Sequence, residues 1–125
     1  MTHKILLVDD DPLLADGLRE ILSLYGYCVD SASCAEDALQ LIHDDLPHLI
    51  VSDYLLRGMT GIEFATVLKG HEETVHIPFL LLTGMHPSQL SGVFNTNNII
   101  QKPFEIEAFI SQIKNYLSDN YASLG

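Results

Sequence analysis

Cysteine and basic side chains are scarce in this 125-residue chain, which has two cysteines and six Lys or Arg against seventeen Asp or Glu. Cys28 and Cys34 are too few and too close in sequence to form a disulfide framework, so a reducing compartment is expected. The net charge of -11 argues against direct binding of nucleic acid or of an anionic membrane.

Long apolar segments are also lacking. No apolar run approaches the roughly 20 residues of a membrane-spanning helix. A strand pattern begins already at Lys4, so no signal peptide is expected before it. These features predict a cytoplasmic protein. Hydrophobic residues make up 47% of the chain, which is enough to form the core of one domain over residues 1–125.

Short apolar runs alternate with helical patterns along the whole chain. The runs predict five strands, at 4–8, 27–32, 49–53, 79–83 and 99–102. Amphipathic helical patterns follow four of them, whereas residues 84–98 have room only for a short helix near 88–94. Because crossovers between parallel strands are right-handed, this order predicts an α/β fold with helices on both faces of a parallel sheet.

The predicted helices also carry recognisable start signals. Asp11 is placed to cap the first helix, and Ser33 with Glu36 and Thr60 with Glu63 fit capping boxes for the next two. Helical spacing places three aromatic residues in the core, namely Tyr25, Phe64 and Phe109.

Polar side chains stand at the ends of four of the predicted strands. Asp9 and Asp10 follow the first, Asp53 ends the third, Thr83 ends the fourth and Lys102 ends the fifth. The carboxyl ends of parallel strands share one edge, where open α/β sheets bind ligands. Each residue alone is explained as well by a cap or a solvated charge, but together they favour a functional site.

The chemistry of such a cluster is specific. Two carboxylates about 4 Å apart repel by on the order of 4 kcal/mol at an effective dielectric near 20. A divalent cation removes that cost, and oxygen ligands suit Mg²⁺. An aspartate can also act as a covalent nucleophile that forms an aspartyl phosphate. A cation, an ammonium and a hydroxyl nearby would stabilise the oxygens of a phosphoryl group in transfer.

These motifs, in this order and at this spacing, resemble the receiver domain of two-component response regulators over nearly the whole chain. The resemblance rests on Asp9-Asp10, Asp53, Gly61, Thr83-Gly84 and Lys102-Pro103. It implies a flavodoxin-like, doubly wound sheet of order 2-1-3-4-5 with about five helices, of which helix 4 is short in this chain.

The resemblance also implies the roles of the acidic residues. Asp53 would accept the phosphoryl group. Asp10, Asp53 and the main-chain carbonyl of Leu55 would bind Mg²⁺, and Asp9 would contribute mainly through water.

Thr83 would hydrogen-bond the phosphoryl group and Lys102 would pair with it, with a cis peptide bond between Lys102 and Pro103.

The expected donor is the phosphohistidine of a sensor histidine kinase or phosphotransfer protein, and the expected receiver of the signal is a downstream effector protein or domain. No direct contact with nucleic acid or membrane is expected. Such a domain phosphorylates and slowly dephosphorylates itself without turning over an external substrate.

Some positions depart from the family pattern. Arg57 stands where many receivers have proline, so the turn must be held otherwise, with Gly58 as a candidate. Ile99 stands where many have the aromatic residue that swings inward on activation. This change and the short helix 4 lie on the helix 4–strand 5–helix 5 face, through which many receivers signal and dimerise. We therefore expect residues 84–98 to move on activation; the oligomeric state is left open.

Three alternatives remain. A phosphorylation-independent pseudo-receiver would act only as an interaction module, but it would not need the full set of acidic, hydroxyl and ammonium groups. An aspartate-nucleophile phosphatase usually has a second aspartate two residues past the nucleophile, where this chain has Leu55. A flavin carrier would need a Ser/Thr/Gly phosphate-binding loop after the first strand, where this chain has three aspartates, at 9–11.

Overall fold

The computed structural model describes residues 2–124, with side chains described through Leu117. Its strands are β1 (Lys4–Val8), β2 (Cys28–Ala32), β3 (Leu49–Asp53), β4 (Phe79–Thr83) and β5 (Ile99–Gln101). Its α-helices are α1 (Pro12–Leu24), α2 (Ala35–Asp44), α3 (Gly61–Lys69) and α4 (Ile106–Leu124). Within the described residues, no helix has both the length and the apolar character needed to cross a membrane.

The strands form one parallel sheet in the order β2-β1-β3-β4-β5. The predicted strand order is therefore confirmed, and with it the doubly wound, flavodoxin-like fold. The chain order reverses between β1 and β3, which are direct neighbours. Open α/β sheets form their ligand crevice at the carboxyl ends of the strands that flank this reversal.

Helices cover both faces of the sheet. Ile5 and Leu7 of β1 pack with residues of α1 and α4, whereas Leu6 and Val8 pack with residues of α2 and α3. Since both faces of the central strands are buried, these strands consist of continuous apolar runs instead of alternating polar and apolar residues.

The short fourth helix predicted near 88–94 is not an α-helix, so the described chain has four α-helices where about five were expected. Between β4 and β5 lie two short 3-10 turns, Pro87–Gln89 and Thr96–Asn98. Leu90 is buried between them, and Phe94 packs against the same side of the core.

Local hydrogen bonds explain why no longer helix forms there. The Nδ1 atom of His86 accepts from the backbone N–H of Ser88 at 3.1 Å. In the same way, the Oδ1 atom of Asn95 accepts from the backbone N–H of Asn97 at 3.0 Å. Side chains that bond their own neighbouring backbone in this way favour turns over continued helix.

Two of the three predicted helix starts are confirmed. Asp11 caps α1, and the reciprocal capping box between Thr60 and Glu63 begins α3. The predicted box at Ser33 is wrong, because Cys34 is the N-cap of α2 and makes no side-chain cap bond. The start of α2 therefore depends on its packing and backbone pairing.

The aromatic residues divide in the same way. Phe64 and Phe109 are fully buried, as expected. Tyr25 is 49% exposed, because it is the residue at which α1 ends. Its ring lies 5.1 Å from the Nζ atom of Lys114, in a cation–π contact near the surface.

The junction of β3 and α3 leaves no space for a side chain at Gly61. The backbone N–H of Gly61 donates to the carbonyl of Tyr54 at 2.6 Å. A Cβ atom at Gly61 would lie 2.5 Å from the backbone oxygen of Asp53 and 2.7 Å from Cδ1 of Leu81. Helix α3 thus begins in direct contact with the strand end that carries Asp53.

We predict that Gly61→Ala lowers the free energy of unfolding by about 1–3 kcal/mol, because the new methyl group overlaps backbone that cannot move away easily. Gly17→Ala is the matched control, since a Cβ at this exposed position within α1 meets nothing within 4 Å. It should raise stability by about 0.5–1 kcal/mol through helix propensity. Urea denaturation of both variants measures the difference, and equal stabilities would contradict the close packing.

Candidate functional site

The structure brings the polar strand ends together at one edge of the sheet. Asp9 follows β1, Asp53 is the last residue of β3 and Thr83 is the last residue of β4. The backbone N–H of Lys102 donates to the carbonyl of Thr83 at 2.7 Å, which continues the pairing of β4 with β5. The order of the strands thus places an acidic, a hydroxyl and an ammonium side chain around one crevice.

Three carboxylates form the acidic part of this crevice. One oxygen from each of Asp9, Asp10 and Asp53 lies within 4.8 Å of the other two. Asp9 is buried, at 3% exposure, and its Oδ1 atom accepts from the backbone N–H of Asp11 at 2.9 Å. Its Oδ2 atom is buried and has no hydrogen-bond partner among the described residues.

Burial raises the pKa of Asp9 above its ordinary value. The hydrogen bond from Asp11 opposes this rise, and the negative charges of Asp53 and Asp10 add to it. An unpaired buried oxygen among crowded carboxylates is the arrangement that a hard divalent cation would relieve. The donor set, composed of oxygen atoms, therefore fits a metal ion of this class.

The Asp53 carboxylate is held on its other side by a cation. The Nζ atom of Lys102 donates to Oδ1 of Asp53 at 2.9 Å, and the backbone N–H of Tyr54 donates to the same oxygen at 3.0 Å. Both bonds engage Oδ1, so Oδ2 has no donor among the described residues. The carboxylate is thus oriented through one oxygen, with the other available to react.

Thr83 occupies the floor beside Asp53. It is 2% exposed, and its Oγ1 atom accepts from the backbone N–H of Met85 at 3.1 Å. Because this bond uses the oxygen as an acceptor, the hydroxyl proton remains able to donate to a ligand.

The cleft above these groups has a volume of about 340 Å³. Its lining comprises Asp53, Tyr54, Leu55, Thr83, Gly84, Met85 and Lys102. A Cβ at Gly84 would meet nothing within 4 Å, so this side of the cleft is open to an approaching group.

Backbone pairing holds the loop after Asp53. Leu55 and Thr60 form an antiparallel bridge that closes the turn, and Gly58 takes a φ of 87° within it. A parallel bridge joins Arg57 to Cys34, at the start of α2. This second bridge fixes the loop at Arg57, the position where many receivers have proline. It pairs residues far apart in sequence, so no local pattern predicts it.

The cis bond expected between Lys102 and Pro103 is present. Of the site residues named from the sequence, four line the cleft, namely Asp53, Leu55, Thr83 and Lys102. The other two, Asp9 and Asp10, each place a carboxylate oxygen within 4.8 Å of Asp53. The contacts that sequence reasoning missed are main-chain ones, from Tyr54 to Asp53 and from Met85 to Thr83.

A family profile for the response regulator receiver domain matches residues 5–114. The chain belongs to this family. It is a receiver domain of the two-component response regulators, as its sequence motifs indicated.

Relatives of known name agree with this assignment. The chain is 34% identical over 113 residues to the phosphate regulon transcriptional regulatory protein PhoB of Pseudomonas aeruginosa, an alignment that covers 88% of this chain and 49% of that protein. It is 30% identical over 122 residues to the polar-differentiation response regulator DivK of Brucella ovis, covering 95% and 99% of the two chains. The receiver domain described here thus spans about half the length of PhoB and nearly all of DivK.

Among solved structures, the signal receiver domain of a signal transduction histidine kinase from Syntrophus aciditrophicus is similar, with a TM-score of 0.86 and 30% identity. The superposition covers 94% of this chain and 92% of that domain.

We predict that millimolar Mg²⁺ raises the melting temperature of the protein, because a cation that binds only the folded state stabilises it. A gain of 1 kcal/mol corresponds to roughly 3–6 °C for a domain of this size. The shift should shrink in acid, since the raised pKa of Asp9 lets this group take up a competing proton at a higher pH than an ordinary aspartate.

Asp10→Asn should reduce the Mg²⁺-dependent shift. Asp44→Asn is the matched control, because Asp44 is exposed at the end of α2, outside the acidic cluster. Thermal melts with and without Mg²⁺ measure both. An identical shift in the two variants would show that the cation does not bind at the acidic cluster.

Proposed function

We propose that this receiver domain accepts a phosphoryl group on Asp53 from the phosphohistidine of a sensor histidine kinase or phosphotransfer protein, with Mg²⁺ as cofactor. The observation that carries the proposal is the position of Asp53. Its carboxylate lies between the Lys102 ammonium on one side and the carboxylates of Asp9 and Asp10 on the other.

The transfer step can be written with these groups. Oδ2 of Asp53, to which no described residue donates, attacks phosphorus, while the P–N bond to the imidazole of the phosphohistidine breaks and the electron pair stays on that nitrogen. Lys102 and the Thr83 hydroxyl are placed to donate to phosphoryl oxygens as the new O–P bond forms. When bound by the acidic residues, Mg²⁺ would supply positive charge to the same oxygens.

The proposed ligands of Mg²⁺ are Asp10, Asp53 and the main-chain carbonyl of Leu55, with Asp9 acting through water. Mg²⁺ keeps several of its waters and uses few protein ligands. A water shared with Asp9 would satisfy its Oδ2 atom, which has no hydrogen-bond partner among the described residues.

The signal would leave the site through Thr83. If its hydroxyl turns toward the phosphoryl group, the backbone N–H of Met85 loses its acceptor. Met85 is the second residue of the segment 84–98, between β4 and β5, which has no α-helix. The far end of this segment is held to α4, because Gln112 Nε2 and Tyr116 Oη donate to the carbonyl of Asn97 at 3.0 and 3.2 Å. Phosphorylation would thus loosen one end of a segment whose other end stays anchored.

The proposed output is altered affinity for a downstream effector protein or domain at the surface formed by residues 84–98, β5 and α4. Self-association through that surface would be a second form of output. The reaction is a switch that phosphorylates and dephosphorylates itself, without turnover of an external substrate.

Incubation with acetyl phosphate and Mg²⁺ tests the covalent step. The wild-type protein should gain the mass of one phosphoryl group on Asp53, and Asp53→Ala should gain none. Lys102→Ala should fold but respond less to phosphorylation, because the phosphoryl charge loses its paired cation. Arg19→Ala is the control for loss of a basic side chain, since Arg19 is exposed on α1 and does not line the cleft.

Amide exchange of the phosphorylated protein gives a second readout of the same experiment. Faster exchange in residues 84–98 would support the route through Met85. No phosphoryl gain on Asp53 would favour the pseudo-receiver, and phosphate found on Asp9 or Asp10 would overturn the residue assignments.

We also predict a long-lived phosphoryl group. Leu55 and Met85 line the cleft beside Asp53, and neither can orient or activate an attacking water. Losing a polar group that positions water or a proton costs ~10²-fold in rate in many enzymes. Leu55→Asn combined with Met85→Glu should therefore shorten the lifetime, by about tenfold or more. Loss of phosphate by the wild type within seconds, without a phosphatase, would contradict this argument.

A further inference from the structure

A second concave surface lies along β2, the strand at one side of the sheet, and it shares the buried residue Asp9 with the acidic cluster. This edge groove has a volume of about 550 Å³. Its α1 wall is the helical stripe Pro12, Ala15 and Asp16, and its α2 wall is the stripe Asp37, Gln40 and Leu41. Its floor is formed by Asp9, Ser31, Ala32 and Ser33. Each wall has i, i+3, i+4 spacing, so the two helices run along the groove and flank the strand edge.

The floor of the groove includes unpaired backbone of β2. The N–H of Cys28 donates to the carbonyl of His3, just before β1, and the carbonyl of Ala32 accepts from the N–H of Asp9, just after it, so even-numbered residues of β2 face β1. Val29 and Ser31 therefore turn their N–H and C=O groups outward. Among the described residues nothing pairs with these outward groups. The small side chains of Ser31 and Ala32 leave room beside them.

The charged residues that line the edge groove are all acidic. Asp16 stands on the α1 wall and Asp37 on the α2 wall, and the described residues that line the groove include no Lys or Arg. Across residues 9–53, Arg19 is the only Lys or Arg, although most of the acidic residues of the chain lie in this range. Both walls thus present negative charge to whatever enters.

We propose that the edge groove binds an extended peptide segment with two consecutive basic residues, which pairs with β2 as an additional strand. Successive side chains of a strand point to opposite faces. Adjacent basic residues would therefore reach Asp16 on one wall and Asp37 on the other. The pairing is β-strand addition to an open sheet edge, in which the main chain provides affinity and alternate side chains provide specificity.

This interaction is separate from the proposed phosphoryl transfer. The groove needs no phosphorylated Asp53, and its wall carboxylates, Asp16 and Asp37, are not among the residues of the acidic cluster. Asp9 belongs to both, but it is only 3% exposed on the floor and the proposed contacts do not use its side chain. The experiment therefore includes Asp53→Ala, which should bind the peptide as the wild type does even if phosphorylation proves absent.

The probe is a capped, fluorescently labelled peptide, Thr-Val-Lys-Lys-Val-Thr, measured by anisotropy and by amide chemical shifts of ¹⁵N-labelled protein. Binding should shift the amides of Val29 and Ser31 and weaken as salt is added. A peptide with Glu in place of both Lys should not bind, nor should one with N-methylated backbone amides.

Ser31→Pro tests strand pairing within the protein. It removes an outward N–H and leaves the ladder with β1 intact, and edge strands tolerate proline. Ser31→Ala is its control, because it keeps the N–H. We expect Ser31→Pro to bind about tenfold more weakly than Ser31→Ala, since one main-chain hydrogen bond is lost. If Ser31→Pro does not fold, the N-methylated peptide decides the same question.

Asp16→Asn with Asp37→Asn tests the charges and should weaken binding about tenfold or more, since both charge-assisted contacts are lost. Glu72→Gln with Glu73→Gln is the control, because these exposed residues lie outside the groove. Equal affinity in the two double variants, equal binding of the Glu-containing or N-methylated peptide, or no binding at millimolar peptide would each overturn the proposal.

Discussion

The repulsion among carboxylates at the ends of β1 and β3 is the constraint on which the site depends. Asp9, Asp10 and Asp53 place oxygen atoms within 4.8 Å of one another at the carboxyl edge of the sheet. In the protein itself, the balancing charge is the ammonium of Lys102, held 2.9 Å from Asp53. Its direct contact is to one oxygen of Asp53, and its charge also acts on Asp9, so one ammonium offsets only part of the negative charge of three carboxylates.

The fold supports this arrangement because the apolar strands fix where each charged residue emerges. β1 and β3 are largely buried and pair in register, with Val8 opposite Ser52, so the next residues, Asp9 and Asp53, follow side by side at the carboxyl end of the sheet. In the same way, the backbone hydrogen bond from the N–H of Lys102 to the carbonyl of Thr83 fixes where the Lys102 side chain leaves the sheet. The positions of these side chains follow from strand pairing more than from loop structure.

Much of this could be predicted from the sequence, because it depends on local pattern. Continuous apolar runs predicted the strands, and the residues after each run predicted the site. Asp11 and Thr60 acted as caps because their bonding partners are near in sequence.

The predictions that proved wrong concern features that depend on how distant parts of the chain pack together. Tyr25 has helical spacing but sits where α1 ends, and α2 begins at Cys34 without a side-chain cap. Residues 84–98 have a short helical pattern, yet polar side chains bond their own backbone and a 3-10 turn forms. The bridge between Cys34 and Arg57 joins two distant loops, and the edge groove needs the relative placement of α1, α2 and β2. Neither feature is visible in any single stretch of sequence.

Because of the close contact at Gly61, the structure on the α3 side of Asp53 is packed more tightly than the structure on the β4 side. On the α3 side, the backbone oxygen of Asp53 lies against a helix start that has no side chain to deform. On the opposite side, Thr83 leads into a segment with no regular helix. The start of α3 is closely packed, whereas residues 84–98 lack an α-helix. Bulk or charge added at Asp53 should therefore displace residues 84–98, because moving them costs less energy than moving α3. We therefore expect a rearrangement that starts at Asp53 to displace the end of β4 more than α3.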